Sequence, residues 1–263
     1  MKHSSNQWAL ILGASSGFGE ATARKLASNG MNIAGVHFDR KEDLSRVDRL
    51  VEELRSEGVE VEFFNKNAAR EKNRSSVIGD LKERPGGNPS VRVLMHSIAF
   101  GTLKPYVADE EETLEQKQME MTLDVMAHSL VYWVQDVLEA GLLREGSRIF
   151  AMTSAGGHVA WPYYGAVSTA KASIEAHIRQ LAVELGDRGI TANAIQAGVT
   201  DTPSLRKIPG HEDLIDHGKR VNPAGRLTRP EDVADAIALL SRDESRFITG
   251  NVIRCNGGED IAG

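Results

Sequence analysis

What most limits the fold of this chain is an alternation: short apolar runs of strand length, separated by longer stretches with apolar residues at helical spacing. Strands are expected at 8–12, 32–38, 59–64, 91–96, 148–152, 191–195 and 251–255. Helical pattern fills 19–28, 43–57, 70–83, 114–139, 167–185 and 232–240. Strands that alternate with helices pair in parallel, because each right-handed crossover packs its helix on a sheet face. The expectation is a single α/β domain over 1–263, a doubly wound, seven-stranded parallel sheet with helices on both faces. The stretch Arg84-Pro85-Gly86-Gly87-Asn88-Pro89 breaks the pattern just before a strand and reads as a loop.

Composition narrows the function classes. A hydrophobic content of 41% supports a sizeable core. No apolar run approaches the roughly 20 residues of a membrane span, and Met1-Lys2-His3-Ser4-Ser5-Asn6 lacks a signal-peptide layout, so a soluble, cytoplasmic chain is expected. The single cysteine, Cys255, excludes an internal disulfide and a multi-cysteine metal site. Basic residues are interspersed with acidic ones at a net charge of −6, and aromatics are only 5%; neither suits nucleic acid. A small molecule, or the tip of a carrier, is the expected partner.

The first chemical signal is Gly13-Ala14-Ser15-Ser16-Gly17-Phe18-Gly19, between the first strand and the first helix. Glycines there allow a tight turn and let backbone amides approach a pyrophosphate at a helix N-terminus. The placement points to a dinucleotide and a Rossmann-like sheet. At the end of the second strand, Asp39 suits a free ribose hydroxyl, whereas Arg40 and Lys41 suit a 2′-phosphate. NADPH is the expected cofactor, with NAD left open.

The second signal is Ser154, Tyr164 and Lys171. Tyr164 and Lys171 are seven residues apart, close to two helical turns or about 10.5 Å, and so share one face. Lys171 could bond the nicotinamide ribose and lower the phenol pKa, making the Tyr164 proton easier to share during a reduction.

Together with Asn193-Ala194-Ile195-Gln196-Ala197-Gly198 and the closing Asn256-Gly257-Gly258, these motifs resemble the short-chain dehydrogenase/reductase family over nearly the whole chain. The six residues between Tyr164 and Lys171 are the spacing of its divergent branch, the enoyl-acyl-carrier-protein reductases. His96-Ser97-Ile98-Ala99-Phe100 and Gln196-Ala197-Gly198-Val199-Thr200-Asp201-Thr202 are similar to turns of that branch. The resemblance implies that Ser97, Ile98, Ala99 and Gly198 line the nicotinamide half. The amide and carbonyl of Val199 would hold the carboxamide, Thr202 would lie near the pyrophosphate, and Asn67 would complete the cofactor set. Three departures lean toward or away from that branch: Ser154 where it commonly has a second tyrosine, a phosphate loop spaced as in carbonyl reductases, and Met126 where those reductases place asparagine.

The implied activity is reduction of an enoyl thioester, presented on acyl carrier protein, by Tyr164, Lys171 and Ser154. A carbonyl or alcohol oxidoreductase acting on a 3-oxoacyl thioester, hydroxysteroid or aldehyde is the alternative, and a non-catalytic dinucleotide sensor the second. Residues 203–221, with Leu205, Ile208, Leu214 and Ile215 among charges, are a candidate substrate lid. His211 and His217 within it have no third ligand nearby, so no metal is expected. The two long helices, 114–139 and 167–185, imply a homotetramer by the same resemblance.

Overall fold

The computed structural model describes residues 6–84, 89–110 and 112–261; residues 85–88 of the expected loop lie outside these. The strands are β1 Gln7–Leu12, β2 Asn32–His37, β3 Val61–Asn65, β4 Ser90–His96, β5 Arg148–Ser154, β6 Thr191–Ala197 and β7 Val252–Cys255. They form one seven-stranded sheet in the order β3-β2-β1-β4-β5-β6-β7, parallel throughout. Both faces of the inner strands are covered: every residue of β2 and β6 is buried, the polar ones included.

Helices α1 Gly17–Ser28, α2 Leu44–Ser56 and α8 Pro230–Leu240 cover one face, where Leu26, Leu50, Leu54, Val233 and Ile237 meet Ile11, Ile33 and Val93 of the sheet. The other face is covered by α3 Glu71–Lys82, α4 Gln116–Leu123, α5 Ser129–Glu139 and α6 Gly165–Leu185, with Leu81, Trp133, Val137 and Ile174 in the core. Chain order reverses between β1 and β4, and the crevice at their carboxyl ends is where sheets of this kind admit ligands. The remaining helix, α7 His211–Val221, stands at the same end.

One expectation is corrected. Helical structure runs without a break from 116 to 139, but it is not α-helical throughout, because Asp124–His128 make a π-helical turn between α4 and α5. The Ser129 hydroxyl donates to the Val125 carbonyl at 2.8 Å, which favours a local departure from α geometry. Its lone pair is left to accept from Nε2 of His96 at 2.8 Å, so the widened turn is fastened to the end of β4.

Trp133 ties the core to the cofactor end: it is fully buried and its indole N–H donates to the Ala68 carbonyl at 2.9 Å. Trp133→Ala should destabilise the protein by about 3–5 kcal/mol. Denaturant unfolding would measure it, and a loss below about 1 kcal/mol would contradict this packing.

Candidate active site

The glycine loop closes the crevice from below. Gly13 has φ +89°, and a side-chain carbon there would stand 2.3 Å from the Ser97 carbonyl oxygen. A carbon on Gly19 would stand 2.0 Å from the Gly13 oxygen. Only hydrogen fits at either position. The turns after β1 and β4 therefore touch, and Ser97 N–H donates to the Leu12 carbonyl at 2.8 Å. Ser16 is the N-cap of α1, yet its side chain makes no capping bond, so the first-turn amides keep no side-chain acceptor. Thr202 leans over this turn, its methyl 3.6 Å from where a Gly17 side chain would begin. The arrangement of Ser15, Ser16, Gly17, Phe18 and Thr202 fits a pyrophosphate.

Asp39 follows β2 and is held from two sides. Its Oδ2 lies 2.8 Å from His37 Nδ1, and its Oδ1 is 3.8 Å from an Arg46 nitrogen. Its amide donates to Asn65 Oδ1 at 3.1 Å. The Arg40 guanidinium, by contrast, is 86% exposed and meets only Glu42 at 3.9 Å; Lys41 is exposed as well. Arg46 reaches the Ser15 carbonyl at 2.5 Å, linking the ribose end to the phosphate loop. Sequence reasoning missed it because an arginine on a charged helix face looks solvated. Asn67 is half-buried, and its Oδ1 accepts from the Ala69 amide at 2.9 Å, so its side chain shapes the turn after β3.

Ser154 ends β5, and Tyr164 is the N-cap of α6 rather than a residue within it. The preceding Tyr163 takes a left-handed φ of 64°, which turns the chain into the helix at that point. Gly156 lets the two hydroxyl-bearing side chains share a wall: a carbon there would be 2.5 Å from the Tyr164 ring and 3.3 Å from Ser154 Oγ. Ser154 Oγ is buried without a well-formed hydrogen bond in the chain, an acceptor and donor left for a ligand.

Burial raises the Tyr164 pKa, and the neighbouring Ser154 hydroxyl opposes that shift. The expected lowering by Lys171 is not what the surroundings do: desolvation dominates, and the phenol remains a protonated donor at neutral pH. Lys171 is buried, and its ammonium donates to the Met152 carbonyl at 2.8 Å. Burial pushes its pKa down to about 8, with Glu175 opposing.

The turn after β6 differs from expectation. The Val199 amide donates to the Glu259 carboxylate at 3.1 and 3.2 Å, and its carbonyl accepts from the Thr228 amide at 3.2 Å. The amide proton is thus taken within the chain, while the carbonyl keeps a second lone pair. Thr200, next along, has no main-chain hydrogen bond among the described residues, and its hydroxyl donates to the Gly198 carbonyl at 2.9 Å. The lid segment is built as a 3-10 turn, Leu205–Lys207, followed by α7, whose Leu214 and Ile215 are half-buried. Gly218 brings α7 onto this turn; a carbon there would lie 2.9 Å from Val199 Cβ. His217 is used locally, facing Arg220 at 3.0 Å. Ser97 and Ile98 are half-buried and Ala99 is exposed, forming the rim opposite Thr202.

Lys171 is a cation below its pKa and neutral above it, so a dinucleotide bonded to its ammonium should bind evenly below about pH 8 and progressively more weakly above. Fluorescence titration of NADH at a series of pH values checks this, and a flat affinity through alkaline pH would remove Lys171 from the contact.

With this geometry in place, comparison with known proteins is informative. The family model described as Enoyl-(Acyl carrier protein) reductase matches residues 13–259. The chain is 30% identical over 174 residues to enoyl-(acyl-carrier-protein) reductase (NADH) FabI of Aquifex aeolicus, a match spanning 66% of this chain and 64%, just under two thirds, of that relative. It is 28% identical over 255 residues to 3-oxoacyl-(acyl-carrier-protein) reductase FabG of Staphylococcus epidermidis, covering 96% of this chain and 98% of that one. The crystal structure of the Aquifex aeolicus enoyl reductase superposes with a TM-score of 0.83 at 25% identity, over 98% of this chain and 97% of the other. No helix among the described residues is long and apolar enough to cross a membrane. A match running from the first glycine of the phosphate cradle to the carboxylate that secures the β6 turn makes this chain a member of the enoyl-(acyl carrier protein) reductase family, and an NAD(P)H-dependent oxidoreductase.

Proposed function

We propose that the protein reduces the double bond of an enoyl thioester with NADH. The observation that carries the reading is the half-buried Tyr164 phenol at the N-cap of α6, sharing the Gly156 wall with Ser154 and seven residues before a buried lysine. A bound nicotinamide supplies a hydride to the β-carbon of the enoyl thioester. Negative charge then develops on the thioester oxygen, and a preorganised donor stabilises it more than it stabilises the ground state. Tyr164 donates a hydrogen bond to that oxygen, and the α-carbon then takes a proton from water, so that hydride and proton together saturate the double bond. Lys171, fixed by the Met152 carbonyl, holds the cofactor ribose. The main chain of Thr200 takes the carboxamide, the role expected of Val199. Leu214 and Ile215 of α7 cover the acyl chain.

Ser154 supports a second reading. Its buried hydroxyl beside Tyr164, without a well-formed hydrogen bond among the described residues, is what polarising a ketone requires, so a 3-oxoacyl thioester is the alternative substrate. NADH or its phosphorylated form with a crotonyl thioester, then with an acetoacetyl thioester, separates the two by loss of cofactor absorbance. Turnover with crotonyl thioester is expected; oxidation only with acetoacetyl thioester would sink the enoyl reading. Tyr164→Phe should lower kcat roughly 100- to 10,000-fold while NADH still binds. An unchanged rate would remove the phenol from the chemistry.

The cofactor proposal moves from NADPH to NADH. Asp39 presents a fixed carboxylate where a ribose hydroxyl would be read, and a 2′-phosphate would meet it as a like charge. Arg40, the residue that favoured NADPH, reaches into solvent. Asp39→Ser should weaken NADH binding about 10- to 100-fold and narrow the gap to NADPH, from the loss of a charge-assisted hydrogen bond. Equal affinities for the two cofactors before substitution would count against this assignment.

A further inference from the structure

The cofactor and substrate contacts leave one buried carboxylate without a role. Glu175 sits on α6 one turn beyond Lys171, and its side chain is 5% exposed. Its Oε1 accepts from the Thr153 hydroxyl at 2.8 Å. Its Oε2 lies 3.1 Å from Nε2 of His158, whose side chain is 57% exposed. The 3-10 turn Ala155–Gly157 runs between them, and a carbon on Gly157 would stand 3.2 Å from Glu175 Oε1 and 3.5 Å from Lys171 Cβ. One carboxylate thus joins the last residues of β5, the turn that carries Gly156 past the Tyr164 ring, and the helix that carries the lysine.

A carboxylate out of water is costly unless charge and hydrogen bonds compensate it. The same holds for the Lys171 ammonium, and the groups facing it differ sharply. From β4 comes His96, buried and pushed down to about 3, hence neutral. From β5 comes only the Met152 carbonyl. Tyr164 is a neutral phenol, and His158 lies on the solvent side of the carboxylate. Glu175 alone supplies negative charge from within the same helix.

We infer that Glu175 is a positioning residue of this site: its buried carboxylate is the fixed counter-charge of the Lys171 ammonium and the anchor of the Ser154–His158 turn. The inference rests on the reading of Lys171 as the residue that holds the ribose and supports Tyr164. Any ligand that closes over the crevice deepens the desolvation of Nζ, and Glu175 keeps the proton there.

Lysine side-chain NMR titration of the full chain without cofactor tests this without needing turnover, so it stays readable if the enoyl assignment fails. The Lys171 signal is identified by its loss in Lys171→Arg. Glu175→Gln keeps the shape and an acceptor for Thr153 while removing the charge; it should lower the Lys171 midpoint by about one pH unit or more. Thr153→Val breaks the hydrogen bond and keeps the charge, and should leave the midpoint in place. An unmoved midpoint in Glu175→Gln, or equal shifts in both variants, would overturn the assignment. If Glu175→Gln does not fold, the unsubstituted protein decides: a midpoint near 8 is expected, and one at or below about 6, the range of buried lysines without a counter-charge, would refute it.

Discussion

At Gly13 the main chain passes so close to the Ser97 carbonyl that no side-chain carbon fits between them. That contact joins the turn after β1 to the turn after β4 across the point where strand order reverses. It sets the width of the crevice, directs the amides of α1 toward one place, and brings the His96–Ala99 segment beside the glycine loop. The shape of the glycine loop and the buried His96 with its hold on the π-helical turn both belong to this junction. A larger residue at Gly13 would open the sheet at its functional end while leaving most of the core untouched.

The reacting end of the crevice is organised by desolvation. The phenol of Tyr164 is held as a neutral donor, and Lys171 is held close to the point of losing its charge. These opposite tendencies have one cause, since burial penalises whichever form is charged. What differs is compensation. Lys171 has the Met152 carbonyl and the Glu175 carboxylate on its side, whereas Tyr164 has a serine hydroxyl with no better partner. A protonated donor in a partly desolvated pocket suits a reaction in which negative charge appears on an oxygen.

The far end obeys the same logic with charges left in place. Asp39 is ordered by His37 and Arg46 before any ribose arrives, and Arg46 in turn is tied to Ser15 in the phosphate loop. The turn after β2 is thereby coupled to the glycine loop through one side chain. At the third corner, the Glu259 carboxylate fixes the Val199 amide, so the closing residues of the chain shape the turn that bears Thr200 and Thr202.

The strand and helix order, the glycine loop, and Ser154, Tyr164 and Lys171 were legible in the sequence because they rest on local rules: apolar periodicity, the absence of a side chain, and the pitch of a helix. The π-helical turn within 114–139 was not, since it is held by Ser129 to a histidine on a strand 33 residues earlier. Nor were Arg46, the Glu259 carboxylate on the Val199 amide, or the place of Glu175, each of which depends on a partner distant in sequence or on how dry a site becomes after folding. The chain alone determined which groups could do chemistry and on which elements they stand. Only the tertiary structure decided which of them are free, which are already bonded, and which charges survive, because burial and long-range pairing exist only once the sheet and its helices have closed around them.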